Sequence, residues 1–301
     1  MRLSANHPGA FIRGIPVRSI ILLLIGPLVA SAQSSAEVIH LWENGAPGFE
    51  ERKDEPEQAH DYWVRNVHNP SITVFSPPSG MANGCAIVVA PGGGFRELVY
   101  NEEGKGAAEF LQTLGITVFV LKYRLPYAKD SPYHTGHVRQ DAYRAIRMVR
   151  SRASEFGIDP DRIGFLGFSA GAEPALMVAF AAGAGNQRAV DLIEHANGRP
   201  NFEMLIYPSV DNLVPRRVPA DTPAMFLLCA NDDEYGCDKN TLMLLKKLRE
   251  AKVSVEAHFI AQGKHSFNMG GRSPFVTVRH WPDRLSDWLE DRGWLKAGRA
   301  R

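Results

Sequence analysis

A serine with small neighbours stands where an apolar run of the sequence gives way to a helical pattern. The run begins at Ile163, and Ser169 is the centre of Gly-Phe-Ser-Ala-Gly. A Gly-x-Ser-x-Gly sequence between a strand and a helix is typical of a nucleophile held on a sharp turn. In the alternative interpretation, Gly167 and Gly171 only allow a helix to pack closely against a strand. The pentapeptide alone does not separate these interpretations.

A serine nucleophile needs a base, an acid that orients the base, and donors for the oxyanion. His265 follows the last apolar run, and Asp232 and Asp233 follow the run before it. The spacing from Ala230 favours Asp233 as the acid and leaves Asp232 to cap or to form an ion pair. The order serine, aspartate, histidine is that of hydrolases with this serine turn.

The glycine run in APGGGF, residues 90–95, follows the first long apolar run. Three glycines let a backbone turn its amides towards a ligand, which suits an oxyanion hole. A phosphate loop is the alternative, but the Gly-Lys-Ser/Thr that it requires is absent. His134 and His137 resemble a metal pair without a third ligand nearby. We therefore expect neither a metal nor a cofactor.

Six apolar runs separated by helical patterns must position these residues. They lack the polar alternation of a half-exposed strand, which predicts a mostly parallel sheet with helices on both faces. EVIHLW and SITVFSP predict further strands at the sheet edge, and the short segment 183–200 leaves no room for a large lid domain. The six runs cover residues 85–90, 116–123, 163–167, 202–208, 224–230 and 253–260.

The amino terminus has the pattern of a secretory signal. Basic residues precede the apolar run SIILLLIGPLVA, and small residues lead to Ala32. The run is shorter than the roughly 20 apolar residues of a membrane span, which is the alternative interpretation. We predict a signal peptide over 1–32, a single catalytic domain over 33–301, a secreted or periplasmic location, and no stable membrane anchor after cleavage.

Composition and cysteine content narrow the partners. The net charge of +1 and the absence of a long basic run argue against nucleic acid. Cys85, Cys229 and Cys237 are expected to be buried apolar residues, and a Cys229–Cys237 disulfide is the alternative in an oxidising compartment. The oligomeric state is left open.

Several segments together resemble the α/β-hydrolase esterases that include acetylxylan esterases and bacterial feruloyl-esterase-like proteins. They are APGGGF, GITVFVLKYRLP, the block from QDAYRAIRMVR to GFSAGAE, LIYPSV and GKHSFNMG, in that order. The resemblance implies the α/β-hydrolase fold, with Ser169 as nucleophile, Asp233 as acid and His265 as base. It further implies that Gly93, Gly94 and Ala170 supply the oxyanion donors.

The resemblance implies a serine carboxylic-ester hydrolase that removes acetyl or hydroxycinnamoyl groups from plant polysaccharides or oligosaccharides such as xylan. The alternatives are a general short-chain carboxylesterase, a prolyl-oligopeptidase-type peptidase, and a non-catalytic binding module. Aromatic residues in the loops after residues 94 and 123 are candidates to line the substrate pocket, or else they are ordinary loop packing. They are Phe95, Tyr100, Tyr127 and Tyr133.

Overall fold

The computed structural model describes residues 37–210 and 213–296, all within one compact unit. The predicted signal peptide over 1–32 lies outside the described residues. The strands are β1 (Glu37–His40), β2 (Gln58–His60), β3 (Trp63–Arg65), β4 (Ser71–Phe75), β5 (Ala86–Ala90), β6 (Thr117–Lys122), β7 (Ile163–Phe168), β8 (Phe202–Ile206), β9 (Ala224–Ala230) and β10 (Val255–Ile260). The helices are α1 (Gly106–Thr113), α2 (Thr135–Ser151), α3 (Ala172–Ala179), α4 (Cys237–Glu250), α5 (Val276–Arg279) and α6 (Trp281–Asp291).

Eight strands form one sheet in the order β1-β4-β6-β5-β7-β8-β9-β10. All neighbours from β6 to β10 pair in parallel, whereas β1 and β4 are antiparallel additions at one edge. The six apolar runs and the edge strands are therefore where the sequence predicts them, within two residues. The short hairpin of β2 and β3 was not predicted, because each of its strands is only three residues long and β2 is fully exposed.

Helices cover both faces of the sheet, as the continuous apolar strands predict. One core cluster joins a face of the sheet to α2, α3 and α4 through Val138, Ala175 and Leu244. The other joins the opposite face to α1 and α6 through Leu111 and Leu285. Every helix in the described ranges is too short or too polar to cross a bilayer.

The three cysteines are buried, and Cys229 and Cys237 are not joined by a disulfide. Because β5, β7, β8, β9 and β10 run in parallel, their carboxyl ends lie along one edge of the sheet. Ligand sites of open α/β sheets are found at this edge. The glycine run, the serine turn and the loops of Asp233 and His265 all follow strands at this edge.

Candidate active site

The turn between β7 and α3 holds Ser169 in a left-handed backbone conformation, with φ of 49°. This conformation is uncommon for a residue other than glycine and is found at strained functional turns. A Cβ on Gly167 would lie 2.4 Å from the carbonyl oxygen of Gly171, and a Cβ on Gly171 would lie 2.1 Å from that of Ala90. Both glycines are thus required by close packing, and that packing also creates the turn that presents the serine.

The Ser169 hydroxyl contacts the histidine loop that follows β10. Its Oγ lies 2.8 Å from Nε2 of His265, and Nδ1 of the same ring lies 2.7 Å from Oδ2 of Asp233. The Asp233 side chain has no solvent exposure, and that of His265 is 8% exposed. The structure therefore joins the three residues in one hydrogen-bonded chain, with the acid shielded from water.

The two neighbouring aspartates after β9 have separate contacts. Oδ1 of Asp233 accepts the backbone amide of Tyr235 at 2.9 Å, which leaves Oδ2 directed at His265. Oδ1 of Asp232 accepts the amides of Gly263 and Lys264, both at 2.8 Å. These two amides lower the pKa of Asp232. Asp232 therefore fixes the start of the histidine loop, while Asp233 orients the ring.

Cys237 lies beside the acid and the histidine. Its Sγ is 3.7 Å from Nδ1 of His265, and single ligand atoms of Asp233, Cys237 and His265 all fall within 4.8 Å. Both ring nitrogens of His265 already meet Ser169 and Asp233, so coordination of a metal would break one of these contacts. The arrangement suits proton transfer better than metal binding.

The glycine loop after β5 packs directly on the serine turn. A Cβ on Gly92 would lie 2.8 Å from the Cβ of Ser169. Gly93 and Gly94 have φ of 124° and 61°, which only glycine adopts readily. In the described part of the chain, their amides donate to no protein acceptor. Together with Ala170 they line the cavity that contains Ser169, where these amides are available to an oxyanion.

The cavity beside Ser169 has a volume of about 620 Å³ and opens to solvent. Its aromatic lining comes from Tyr62 and Tyr235, which are 44% and 73% exposed. Neither residue carries a specific signal in the sequence, since Tyr62 lies in the unpredicted hairpin and Tyr235 lies in the loop of Asp233.

The predicted aromatic residues lie elsewhere, which corrects the expectation that they line the pocket beside Ser169. Phe95 is buried against Tyr123, because its φ of 58° turns the ring into the core. Tyr127 and Tyr133 line an adjoining cavity of about 570 Å³. Tyr133 is fixed there by a 2.6 Å hydrogen bond between its hydroxyl and Nδ1 of His68.

The fourth aromatic candidate, Tyr100, is also outside the lining of the cavity at Ser169. Its hydroxyl donates to Oγ1 of Thr73 at 2.7 Å. Arg96 lines both cavities, which therefore meet at this side chain. Tyr127 and Tyr133 thus line the cavity next to the one that contains Ser169, on the other side of Arg96.

The histidine pair His134 and His137 caps helix α2. The Nδ1 of His134 accepts the amide of Gly136, and the Nδ1 of His137 accepts the amide of His134, both at 3.1 Å. Burial, Arg124 and the neighbouring His134 lower the pKa of His137 to about 4. The pair is therefore explained by helix capping.

Sequence reasoning missed a buried polar group beneath the glycine loop. Glu103 is 1% exposed, and its Oε2 accepts the amide of Gly92 at 2.6 Å. Its Oε1 accepts the hydroxyl of Tyr207 at 2.7 Å. Burial raises the pKa of Glu103 to about 7, against the effect of these two donors. In the sequence it is one of several charged residues at the start of a helix, so nothing marked it.

The fold and this site define an α/β hydrolase with a serine nucleophile turn. A model of the alpha/beta hydrolase fold family matches residues 87–239, about half of the chain, and the chain belongs to this family.

Two proteins are similar in sequence to most of this chain. An acetylxylan esterase of Xylanibacter ruminicola is 34% identical over 246 residues, which are 71% of this chain and 46% of that protein. Endo-1,4-beta-xylanase B of Butyrivibrio fibrisolvens is 25% identical over 244 residues, 69% of this chain and 37% of that protein. The chain spans less than half the length of these relatives.

Solved structures share the fold. An acetyl ester-xyloside bifunctional hydrolase from Caldicellulosiruptor lactoaceticus superposes with a TM-score of 0.70 at 27% identity, over 86% of this chain and 97% of that chain. A butyrate-bound esterase from Thermogutta terrifontis gives a TM-score of 0.65 at 19% identity, over 87% of this chain and 95% of that chain. The latter supports the fold alone.

Proposed function

We propose that this chain is a serine carboxylic-ester hydrolase that removes acetyl groups from xylan or its oligosaccharides. The observation that carries the proposal is the chain of hydrogen bonds from Ser169 through His265 to Asp233, at 2.8 and 2.7 Å. Its setting beside unpaired loop amides and an open cavity supports acyl transfer.

In the first half of the reaction, Oγ of Ser169 attacks the ester carbonyl carbon and its proton passes to Nε2 of His265. The carbonyl oxygen becomes an oxyanion, which the amides of Gly93, Gly94 and Ala170 stabilise. When the intermediate collapses, the carbon–oxygen bond to the alcohol breaks. The imidazolium returns its proton to the leaving oxygen, and an acetyl-serine is left.

In the second half, water attacks the acetyl-serine while His265 takes a proton from it. The new tetrahedral intermediate expels Oγ of Ser169, which recovers the proton from His265. Acetic acid leaves and releases its remaining proton to the solvent as acetate. Asp233 holds the imidazole with Nδ1 protonated and stabilises the imidazolium that forms in each half. No metal or cofactor takes part in these steps.

The substrate class rests on the relatives named as an acetylxylan esterase, a xylanase and an acetyl ester-xyloside hydrolase. An open cavity with two exposed tyrosines suits a sugar ring, since aromatic faces pack against its apolar side. A longer saccharide would pass Arg96 and reach Tyr127 and Tyr133 in the adjoining cavity, where the Phe95 ring packs edge to face against that of Tyr127. The predicted substrate residues therefore serve a more distant subsite in this proposal.

The test is acetate release from acetylated xylo-oligosaccharides, with 4-nitrophenyl acetate and methyl ferulate as comparisons. Ser169→Ala is expected to abolish release. Ser154→Ala, at an exposed serine outside the lining of the cavity, is expected to leave it unchanged. Wild-type activity in Ser169→Ala would refute the mechanism. Turnover of 4-nitrophenyl acetate without acetate release from the saccharides would instead indicate a general short-chain carboxylesterase. Ferulate release would shift the acyl group to hydroxycinnamoyl.

We also propose export through the signal peptide over 1–32, with the catalytic domain over 33–301. Expression of the full chain followed by amino-terminal sequencing of the exported product is expected to show a start after Ala32. A product that keeps the apolar run would contradict this proposal.

A further inference from the structure

Glu103 connects three loops at the carboxyl ends of the parallel strands. This side of the sheet, which holds Ser169, Asp233 and His265, is called the active edge below. It lies on a wide π-helical turn, Tyr100–Lys105, that precedes α1. Such turns are rare and are frequent at functional sites. Its carboxyl reaches the glycine loop through Gly92 and the loop after β8 through Tyr207. The side-chain amide of Asn268, in the histidine loop, lies 3.2 Å from Oε1 of Glu103, and its NH₂ group is assigned to this contact because the atoms around it are acceptors.

The glycine loop depends on this turn for its backbone contacts. The amide of Gly92 donates to Glu103, and the carbonyl oxygen of Gly92 accepts the amide of Val99 at 2.9 Å. A Cβ on Gly104 would lie 3.2 Å from Cγ of Pro91, so the turn fits tightly under the loop. Gly93 and Gly94, the proposed oxyanion donors, come directly after this fixed point.

The histidine loop depends on the same carboxyl through Tyr207. The Tyr207 ring meets the His265 ring edge to face, with centroids 4.8 Å apart. Tyr207 and Asn268 have positive φ angles of 38° and 50°, which surrounding contacts must maintain. All three donors around Glu103 thus belong to backbone segments that adjoin a proposed catalytic group.

We propose that Glu103 is a positioning residue, which fixes the oxyanion amides and His265 relative to Ser169 by accepting hydrogen bonds from Gly92, Tyr207 and Asn268. The inference rests on the proposed ester hydrolysis and concerns the same site. It assigns Glu103 no contact with the reacting atoms. Its effect is on the placement of the groups that stabilise the transition state.

Glu103→Met is the principal variant, because it keeps most of the side-chain volume and removes both acceptor oxygens. We expect kcat per titratable Ser169 on 4-nitrophenyl acetate to fall by about tenfold or more, since small displacements of catalytic groups are costly. KM should stay within about twofold, because Glu103, although it lines the cavity, is only 1% exposed and offers the substrate almost no surface. Glu103→Gln can still offer an oxygen to Gly92 and should retain most of the activity.

A transition-state mimic separates positioning from a general loss of structure. Phenylboronic acid forms a tetrahedral adduct with a serine hydroxyl, so its inhibition constant reports the oxyanion site. In Glu103→Met this constant should rise in parallel with the loss of kcat, and in Glu103→Gln it should change little. Glu109→Met, an exposed glutamate on α1, is the matched control and should behave as wild type.

Wild-type kcat and boronate affinity in Glu103→Met, or a change in KM alone, would overturn the inference. If that variant does not fold, Glu103→Asp carries the test, because it keeps both oxygens but draws them back by one methylene. The same parallel losses are expected there, and wild-type values overturn the inference. Ser169→Ala distinguishes the two proposals: its activity would refute both, whereas an inactive Ser169→Ala with a fully active Glu103→Met refutes only this one.

Discussion

Two buried glutamates, one at the active edge and one in the middle of the sheet, differ in the hydrogen bonds that their carboxyl groups accept. Glu103 lies under the glycine loop, and its carboxyl accepts hydrogen bonds from Gly92 and Tyr207. Glu203 lies within β8, level with Phe165 on β7 and Met225 on β9. Among the described residues, neither of its carboxyl oxygens has a hydrogen-bond partner.

The pKa values of the two groups follow from these surroundings. Burial raises both, but the donors around Glu103 limit its pKa to about 7, whereas that of Glu203 lies well above the ordinary value. Burial without partners disfavours the charged form and costs stability. The buried carboxyl of Glu103 thus forms hydrogen bonds that organise the active edge of the sheet. The buried carboxyl of Glu203 in β8 forms none among the described residues, so its burial lowers the stability of the fold.

The largest effect that the comparison predicts lies at the active edge. Asp233→Asn is expected to lower kcat by about 10⁴-fold, because an amide no longer holds His265 in the required tautomer. Asp232→Asn is the matched control, since its remaining side-chain oxygen can still accept the amides of Gly263 and Lys264. Steady-state kinetics on 4-nitrophenyl acetate measure both. Equal losses in the two variants would show that the choice between the aspartates is wrong.

The pH dependence of stability is the next largest effect. The folded-state pKa of Glu103 is about 7, above its ordinary value of 4.5, so the folded protein retains a proton that the unfolded chain releases. Its contribution to the free energy of unfolding therefore falls as pH rises between these values, by about 3 kcal/mol, and is constant above them. The contribution of Glu203 has the same sign and should continue to fall at higher pH, because its pKa is raised further.

Urea unfolding of wild type, Glu103→Gln and Glu203→Gln between pH 5 and 9 measures these contributions. The difference between wild type and Glu103→Gln should level off near pH 7, while the difference for Glu203→Gln should not. Two identical curves would remove the distinction between the partnered and the unpartnered glutamate.

Replacement of the unpartnered acid should stabilise the protein. Glu203→Met fills similar space between Phe165 and Met225 without a polar group, and we expect a gain of about 1–3 kcal/mol in the free energy of unfolding. Urea denaturation at pH 7 measures this gain, with Glu109→Met as the exposed control. Turnover should be unchanged, because Glu203 lies within the strand and away from its carboxyl end. A loss of stability in Glu203→Met would show that the Glu203 carboxyl stabilises the fold and would contradict this prediction.

Sequence patterns predicted the site residues best where each residue comes directly after a strand that the sequence also predicts. Ser169, Asp233 and His265 come together because each follows a parallel strand, and parallel strands end at one edge. Glu103 has no such signal, since its role depends on where two other loops lie in the fold. Phe95 shows the same limit in reverse, because a left-handed backbone turns its ring inwards. Local periodicity reports the elements, whereas the contacts between loops depend on tertiary packing.

Replacement of Cys237 should give the smallest change in kcat. It also tests whether a thiol or a metal takes part in the reaction. Its Sγ lies 3.7 Å from Nδ1 of His265, and its backbone amide donates to Oδ1 of Asp233 at 3.4 Å. Cys237→Ala keeps that amide, so kcat should change by less than about fivefold, the worth of one weak hydrogen bond. EDTA should leave both proteins fully active. A loss of several orders of magnitude in Cys237→Ala, or inactivation by EDTA, would make the thiol or a metal part of the mechanism and would contradict the serine–histidine–aspartate assignment.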